Sequence, residues 1–270
     1  MRRLYSTLVL IFFASLSDAR AILVDWSTEA WTPGTLSNSY NVDPANVGND
    51  VTITVTGDTN DLGLSPTGPQ TPAITSALEG GFSPAHVNLE MYVDFKKDTN
   101  AITVTLDFSA LYAAGVANVS FNIFDIDFAN QGGGGAQFQD VIRSISATSI
   151  TGALIAPTIT VGPNVILTGS GLGQVISGAA TTNDTGLGSG DANATITFNA
   201  LDIRSVTFTY GSGSFVNNPT DQHIGIDNIL YAVVPEFDPT WVTLIVCGSL
   251  VVGTTVRRRQ KNGGAKKHIA

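Results

Sequence analysis

The sequence predicts an all-β protein, an antiparallel two-sheet β-sandwich of jelly-roll type, carrying an N-terminal signal peptide and a single C-terminal transmembrane helix. Three observations predict it. Runs in which apolar and polar residues alternate recur from Val51 to Val234, and a period of two marks a half-buried strand. Clusters of Gly, Asn, Asp and Pro separate these runs, while helical periodicity is nearly missing between them. The single cysteine, Cys247, lies in the C-terminal apolar run, so the body has neither a disulfide framework nor a thiolate zinc site and depends on its own core.

Arg2 and Arg3 precede the apolar run Leu8 to Leu16, and the stretch closes on Ala19-Arg20-Ala21. A positive start, a short apolar centre and an A-x-A site make a secretory signal peptide over residues 1–21, with Ala19 and Ala21 at the third and first positions before the cut and the mature chain beginning near Ile22. An apolar run of roughly ten residues is too short to span a hydrocarbon core of about 30 Å.

The body, residues 22–234, is long enough to bury a core without staples. It holds Lys96, Lys97, Arg143 and Arg204 against nineteen acids, a formal charge of −15 hidden inside the whole-chain value of −9. Such a surface repels phosphate backbones, which argues against nucleic acid as a partner. It suits divalent cations, and it also keeps an exported protein soluble.

Strands are expected in order. Val51 to Thr56 alternates Val51, Ile53 and Val55 with threonines, and Ala101 to Phe108 repeats the pattern. Alternation returns at Val87 to Phe95, Asn118 to Phe128, Gln139 to Ile150 and Thr158 to Val161, then at Ala192 to Phe198, Ser205 to Tyr210 and His223 to Val234. Eight or nine strands with long connections suit two packed sheets, with an up-and-down barrel as the runner-up. Asp107 to Val116 is either a short helix or a loop at a strand end. Internal repeats are not visible, which argues against a solenoid.

Catalytic chemistry is sparse. His86 follows Pro84-Ala85 in a loop, His223 opens the last strand, His268 is in the tail, and no G-x-S-x-G motif accompanies them. Gly132 to Gly135 lacks the Lys-Ser/Thr and the following helix of a phosphate loop, and reads as a flexible connection.

Carboxylates offer the one candidate site. In "FNIFDIDF" the period-two rule puts Asp125 and Asp127 on one strand face. A hairpin at the glycine run would return Asp140 towards them as a third oxygen ligand. Two neighbouring carboxylates repel unless a cation, a base or water separates them, and hard oxygen donors in irregular geometry suit Ca²⁺. The alternative is that these acids leave the core and face water. Asp227, on the face of His223 and Gly225, is a weaker candidate, suited to bonding a neighbouring turn. A glycosidase needs two carboxylates about 5 to 10 Å apart, and the sequence neither favours nor excludes that. Trp26, Trp31 and Tyr40 are candidates for stacking on sugars, with burial in the core as the stronger reading.

Near the carboxyl end, Pro235-Glu236 precedes sixteen uncharged residues from Trp241 to Val256, and Arg257-Arg258-Arg259 follows. As a helix this run spans about 24 Å at 1.5 Å per residue, short but tolerable for a membrane. Trp241 suits an interface and the arginines the cytoplasmic side. Pro-Glu, apolar run and arginines together resemble the PEP-CTERM sorting signal of bacterial exported proteins, over residues 235–261 with a basic stop at 257–261 and a polar tail at 262–270. Phe237 stands where that family usually has a second proline. The resemblance implies recognition of Pro235 and Glu236 by an exosortase-like membrane protease, removal of the helix, and delivery of the body to the cell surface or extracellular matrix; without cutting, the segment is a single-pass anchor.

For the body three classes stand open. The first is a non-enzymatic structural or adhesive surface protein whose acidic loops bind calcium. The second is a carbohydrate-binding module on matrix polysaccharide. A secreted hydrolase ranks last, since β-sandwiches host all three and no catalytic arrangement is visible.

Overall fold

The computed structural model describes residues 20–130, 137–179, 189–214 and 217–234. Strand follows strand: β1 Arg20–Val24, β2 Ser37–Tyr40, β3 Val51–Gly57, β4 Ala73–Thr75, β5 Asn88–Val93, β6 Ala101–Asp107, β7 Val116–Phe124, β8 Phe128–Asn130 and β9 Gln137–Ser149. Then come β10 Leu154–Ile155, β11 Thr158–Val161, β12 Val165–Thr168, β13 Val175–Gly178, β14 Ala194–Phe198, β15 Ile203–Ser212, β16 Gln222–Ile226 and β17 Ile229–Val233. Among the described residues the only helical turns are three-residue 3₁₀ turns.

Among the described residues every strand pairing is antiparallel. In one ladder β4, β5, β16, β7, β14 and β11 lie side by side, and β17 follows β16 along the same edge of β7 and carries β1. In the other, β2, β3, β6, β15 and β9 lie side by side, and β9 also pairs with β13, β10 and β8. Ile203 opposite Val116 joins the ladders into one curled sheet.

Alternation sets what each face does. On β3, β6 and β15 the residues Ile53, Val104 and Phe208 point inward, and the threonines between them point outward, with Thr105 and Thr207 hydroxyls 3.4 Å apart across the strands. The inner faces meet in one core: Phe121 of β7 stacks on Phe208 of β15 at 5.9 Å. Trp26 and Trp31 belong to it, at 1% and 6% exposure, with Trp26 edge-on to Tyr40 at 5.8 Å. These rings are core and are not open to a sugar.

The expected strands differ from the observed ones where the backbone reverses. The run Asn118 to Phe128 breaks after Phe124, because Asp125 takes a left-handed conformation with φ 63°, which an aspartate tolerates better than most residues. His223 to Val234 divides at Asp227-Asn228, where Asp227 N–H donates to Asn122 O and Asn228 Oδ1 accepts from Trp26 N–H. Asp107 to Val116 takes the loop form, as successive turns after β6. Among the described residues no helix is long and apolar enough to cross a membrane. The leader residues 1–19, the glycine run 132–135, Cys247, His268, Pro235, Glu236, the apolar run Trp241 to Val256 and Arg257 to Arg259 lie outside the described residues.

Candidate functional site

Three neighbouring strands build a polar face. Tyr92 of β5 stands opposite His223 of β16, Glu90 opposite Gly225, and Gly225 opposite Phe124 of β7. With a period of two, Tyr92, Glu90, His223, Phe124 and Asn122 therefore share the face turned away from the core. Gly225 is required there, since a Cβ would lie 2.5 Å from Asn88 Oδ1.

His223 is held between two acids. Its Nε2 lies 2.9 Å from Asp125 Oδ2 and its Nδ1 3.3 Å from Glu90 Oε1. The second Glu90 oxygen accepts from Ser65 Oγ and Thr75 Oγ1, each at 2.7 Å. Burial opposes a charged imidazole, but bonds to Asp125 and Glu90 win and push His223 up to about 10. Burial likewise penalises the fully buried Glu90 carboxylate, yet the bonds from His223, Thr75 and Ser65 hold it below its usual range. At neutral pH this is an acid–imidazolium–acid clamp. A histidine fixed as a cation is no general base.

Beside it stands a second network. His86 Nδ1 lies 2.9 Å from Asp227 Oδ1, Asn122 Nδ2 donates to Asp227 Oδ2 at 2.8 Å, and Thr195 Oγ1 donates to Asn122 Oδ1 at 2.7 Å. Phe82 covers His86 with parallel rings 4.2 Å apart and leans on Phe124 at 5.6 Å, while 39% of Phe82 remains exposed. The loop bearing both is fixed by Gly80 (φ 59°), where a Cβ would come within 2.6 Å of the Phe124 ring, and by Asn193 Nδ2 donating to Gly80 O at 2.7 Å.

The three acids considered for calcium lie close to one another, and each has partners within the protein. Asp125 turns to His223. The β8–β9 hairpin does bring Asp140 back to Asp127: Asp140 N–H donates to Asp127 O at 2.9 Å, and Asp140 Oδ2 accepts from Asp127 N–H at 3.0 Å. Asp140 Oδ1 accepts from Tyr210 O–H at 2.6 Å. Burial drives the Asp140 carboxyl up to about 7, against the hydrogen bonds that pull it down. Both its oxygens are thus committed. Among the described residues no group of three or more His, Cys, Asp or Glu side chains is placed to hold a metal ion. Nor does a serine hydroxyl bond to either imidazole among the described residues, so a Ser-His-Asp arrangement is not assembled.

Glu90, Asn122 and Phe82 were not singled out in the sequence. Glu90 left a signal, a lone acid inside the apolar run "NLEMYV"; Asn122 and Phe82 left none, since the partners of Asn122 lie 73 and 105 residues away and those of Phe82 arise from loop packing.

No family model matches the chain, and no curated protein does. Among solved structures, similarity extends to TmCBM27, a carbohydrate-binding module described for specific mannan recognition, at 12% identity and a TM-score of 0.29 over 79% of this chain and 99% of that one. It extends also to a family 11 carbohydrate-binding module from Clostridium thermocellum in complex with a β-1,3-1,4-mixed-linked tetrasaccharide, at 12% identity and 0.27 over 80% and 98%. The family 11 module of the Clostridium thermocellum cellulosomal cellulase Lic26A-Cel5E gives 12% and 0.28 over 82% and 99%.

Proposed function

We propose that the β-domain is a carbohydrate-binding module of an exported protein, taking an uncharged polysaccharide on the face around Phe82, His86 and Asn122. The observation that carries it is the exposed Phe82 ring, stacked on an imidazole that Asp227 orients, beside the Asn122 and Thr195 polar pair. A pyranose presents C–H groups on one side and hydroxyls at its rim. An aromatic plane takes the first, and amide, hydroxyl and imidazole groups take the second. The strongly acidic body disfavours polyanionic glycans. The jelly-roll packing of the two ladders, the leader and the exosortase-processed C-terminal segment complete the same proposal: export, sorting by Pro235, Glu236 and Arg257 to Arg259, and residence at the cell surface or in the matrix.

A glycan array with the full chain and its Phe82→Ala variant tests the binding. Uncharged β-linked polymers should bind the parent and lose at least tenfold in affinity with the variant. Equal binding by both would move the site elsewhere, and no binding by either would return the domain to a structural or adhesive role. Intact mass of released protein tests sorting: loss of the chain beyond about Pro235-Glu236 is expected, whereas a full-length membrane-retained chain would leave only an anchor.

A further inference from the structure

We propose that the export leader is cut between Ala19 and Arg20, so that the mature chain begins at Arg20 and not at Ile22. The proposal rests on the leader reading and replaces the position that the A-x-A spacing suggests. Arg20 and Ala21 are part of the folded sheet. They extend β1 by two register pairs, Arg20 with Val233 and Ala21 with Ala232.

Arg20 also performs an electrostatic task. Its guanidinium contacts Asp43, which is fully buried in the fold. The other donors to Asp43 are Ala45 N–H at 3.0 Å, Asn46 Nδ2 at 2.7 Å and Tyr112 O–H at 3.0 Å, all uncharged. A second buried acid, Asp50, sits against it and accepts the Asp43 N–H. Burial pushes the Asp50 carboxyl up, and Arg20 is among the groups that pull it back. Two buried carboxyls thus lean on one cation, and removing one member of such a set leaves charge without compensation. Cutting after Ala21 would discard that cation. A new ammonium on Ile22 would sit about 7 Å along the strand, at two residues of strand rise, and lacks the reach of a guanidinium fork.

The residues before Arg20 accommodate the cut. Ser17 and Ala19 are both small, which meets the demand for small side chains at the third and first positions before a leader cleavage site. In the step, water adds across the Ala19–Arg20 peptide bond. Ala19 leaves as a carboxylate, and Arg20 retains its nitrogen as a new ammonium at the start of β1.

The test is the amino terminus of the full chain expressed in an exporting bacterial host, with free amines labelled before digestion and the intact mass measured in parallel. A labelled terminus at Arg20 is expected. A terminus at Ile22 overturns the cut position and leaves the leader reading intact; an uncut chain beginning at Met1 overturns both. Arg20→Gln in the same full chain should lower the thermal midpoint of the domain by several degrees, while Lys97→Gln, which carries a charge elsewhere, should not. An unchanged midpoint in Arg20→Gln would remove the reason given for keeping the residue.

Discussion

Arg20 stands directly opposite Val233, the first register pair between β1 and β17. The amino-terminal strand of the domain is thus laid against its last strand, and the chain enters and leaves on neighbouring strands. Ile22 and Val24 point into the core from this pairing, at 4% and 0% exposure. Truncating Ile22 to Ala should destabilise the domain by about 2 to 4 kcal/mol, through lost burial and the cavity left behind. Denaturant unfolding measures it, and a loss below half a kcal/mol, on the scale expected of a surface change, would show that β1 is not anchored.

The His223 clamp makes alkaline sensitivity specific. Its folded pKa lies at about 10, above the ordinary 6.5, so its contribution is complete below about pH 6.5 and is lost as pH rises through about 10. Thermal midpoints should therefore fall across that window in the parent protein. His223→Gln should flatten the fall and cost about 3 to 5 kcal/mol at pH 7, since it leaves Glu90 and Asp125 buried without their cation. A parent profile as flat as that of the variant would contradict the clamp.

Asp140 acts in a lower window. Burial raises it to about 7, so the neutral acid is favoured in the fold and stability from it is present below about pH 4 and lost as pH rises through 7. Asp140→Asn keeps an acceptor for Asp127 N–H and lets the Tyr210 hydroxyl turn to accept from the amide. Between pH 5 and 8 the variant should lose less stability than the parent, measured by urea midpoints at each pH. A parallel slope in both proteins would place the titration elsewhere.

Gly80 should tolerate no side chain. It has φ 59°, and a Cβ would press on the Phe124 ring at 2.6 Å. Gly80→Ala is expected to lift the loop that carries Phe82 and His86, lowering the thermal midpoint and abolishing glycan binding together, whereas Phe82→Ala should affect binding alone. Separate measurement of midpoint and binding distinguishes the two.

Calcium should leave the domain unmoved. With Asp140 bonded to Tyr210 and Asp127 N–H, and Asp125 bonded to His223, a cation would have to break two networks to gain three ligands. Millimolar calcium is expected to shift the thermal midpoint by less than about one degree, and a shift of several degrees would revive the metal reading.

Much of the strand pattern was legible. "VTITVT" and "AITVTLDF" became β3 and β6 with the inward residues expected, because a half-buried strand imprints its period on the chain. The short partners β2, β4, β10, β12 and β13 were not legible: a strand such as "SNSY" holds its place through register with a neighbour, and its own composition carries no period. Asp125 was read as a strand residue for the same reason, since nothing local in "FDID" announces a left-handed backbone. Bringing Asp140 back beside Asp127 was a matter of hairpin closure and could be read; which oxygen met which hydrogen could not.

By itself the sequence determined the all-β class, the acidic body without cysteine, and the composition of two unlike ends, because periodicity, charge and residue type are local properties. Only the tertiary structure decided that His223 would join Glu90, 133 residues away, and Asp125 in one clamp, that the tryptophans would be core, and that Arg20 would belong to the domain. Those outcomes depend on which strands pair and in which register. A one-residue slip would turn strand side chains such as Glu90 and His223 to the opposite face.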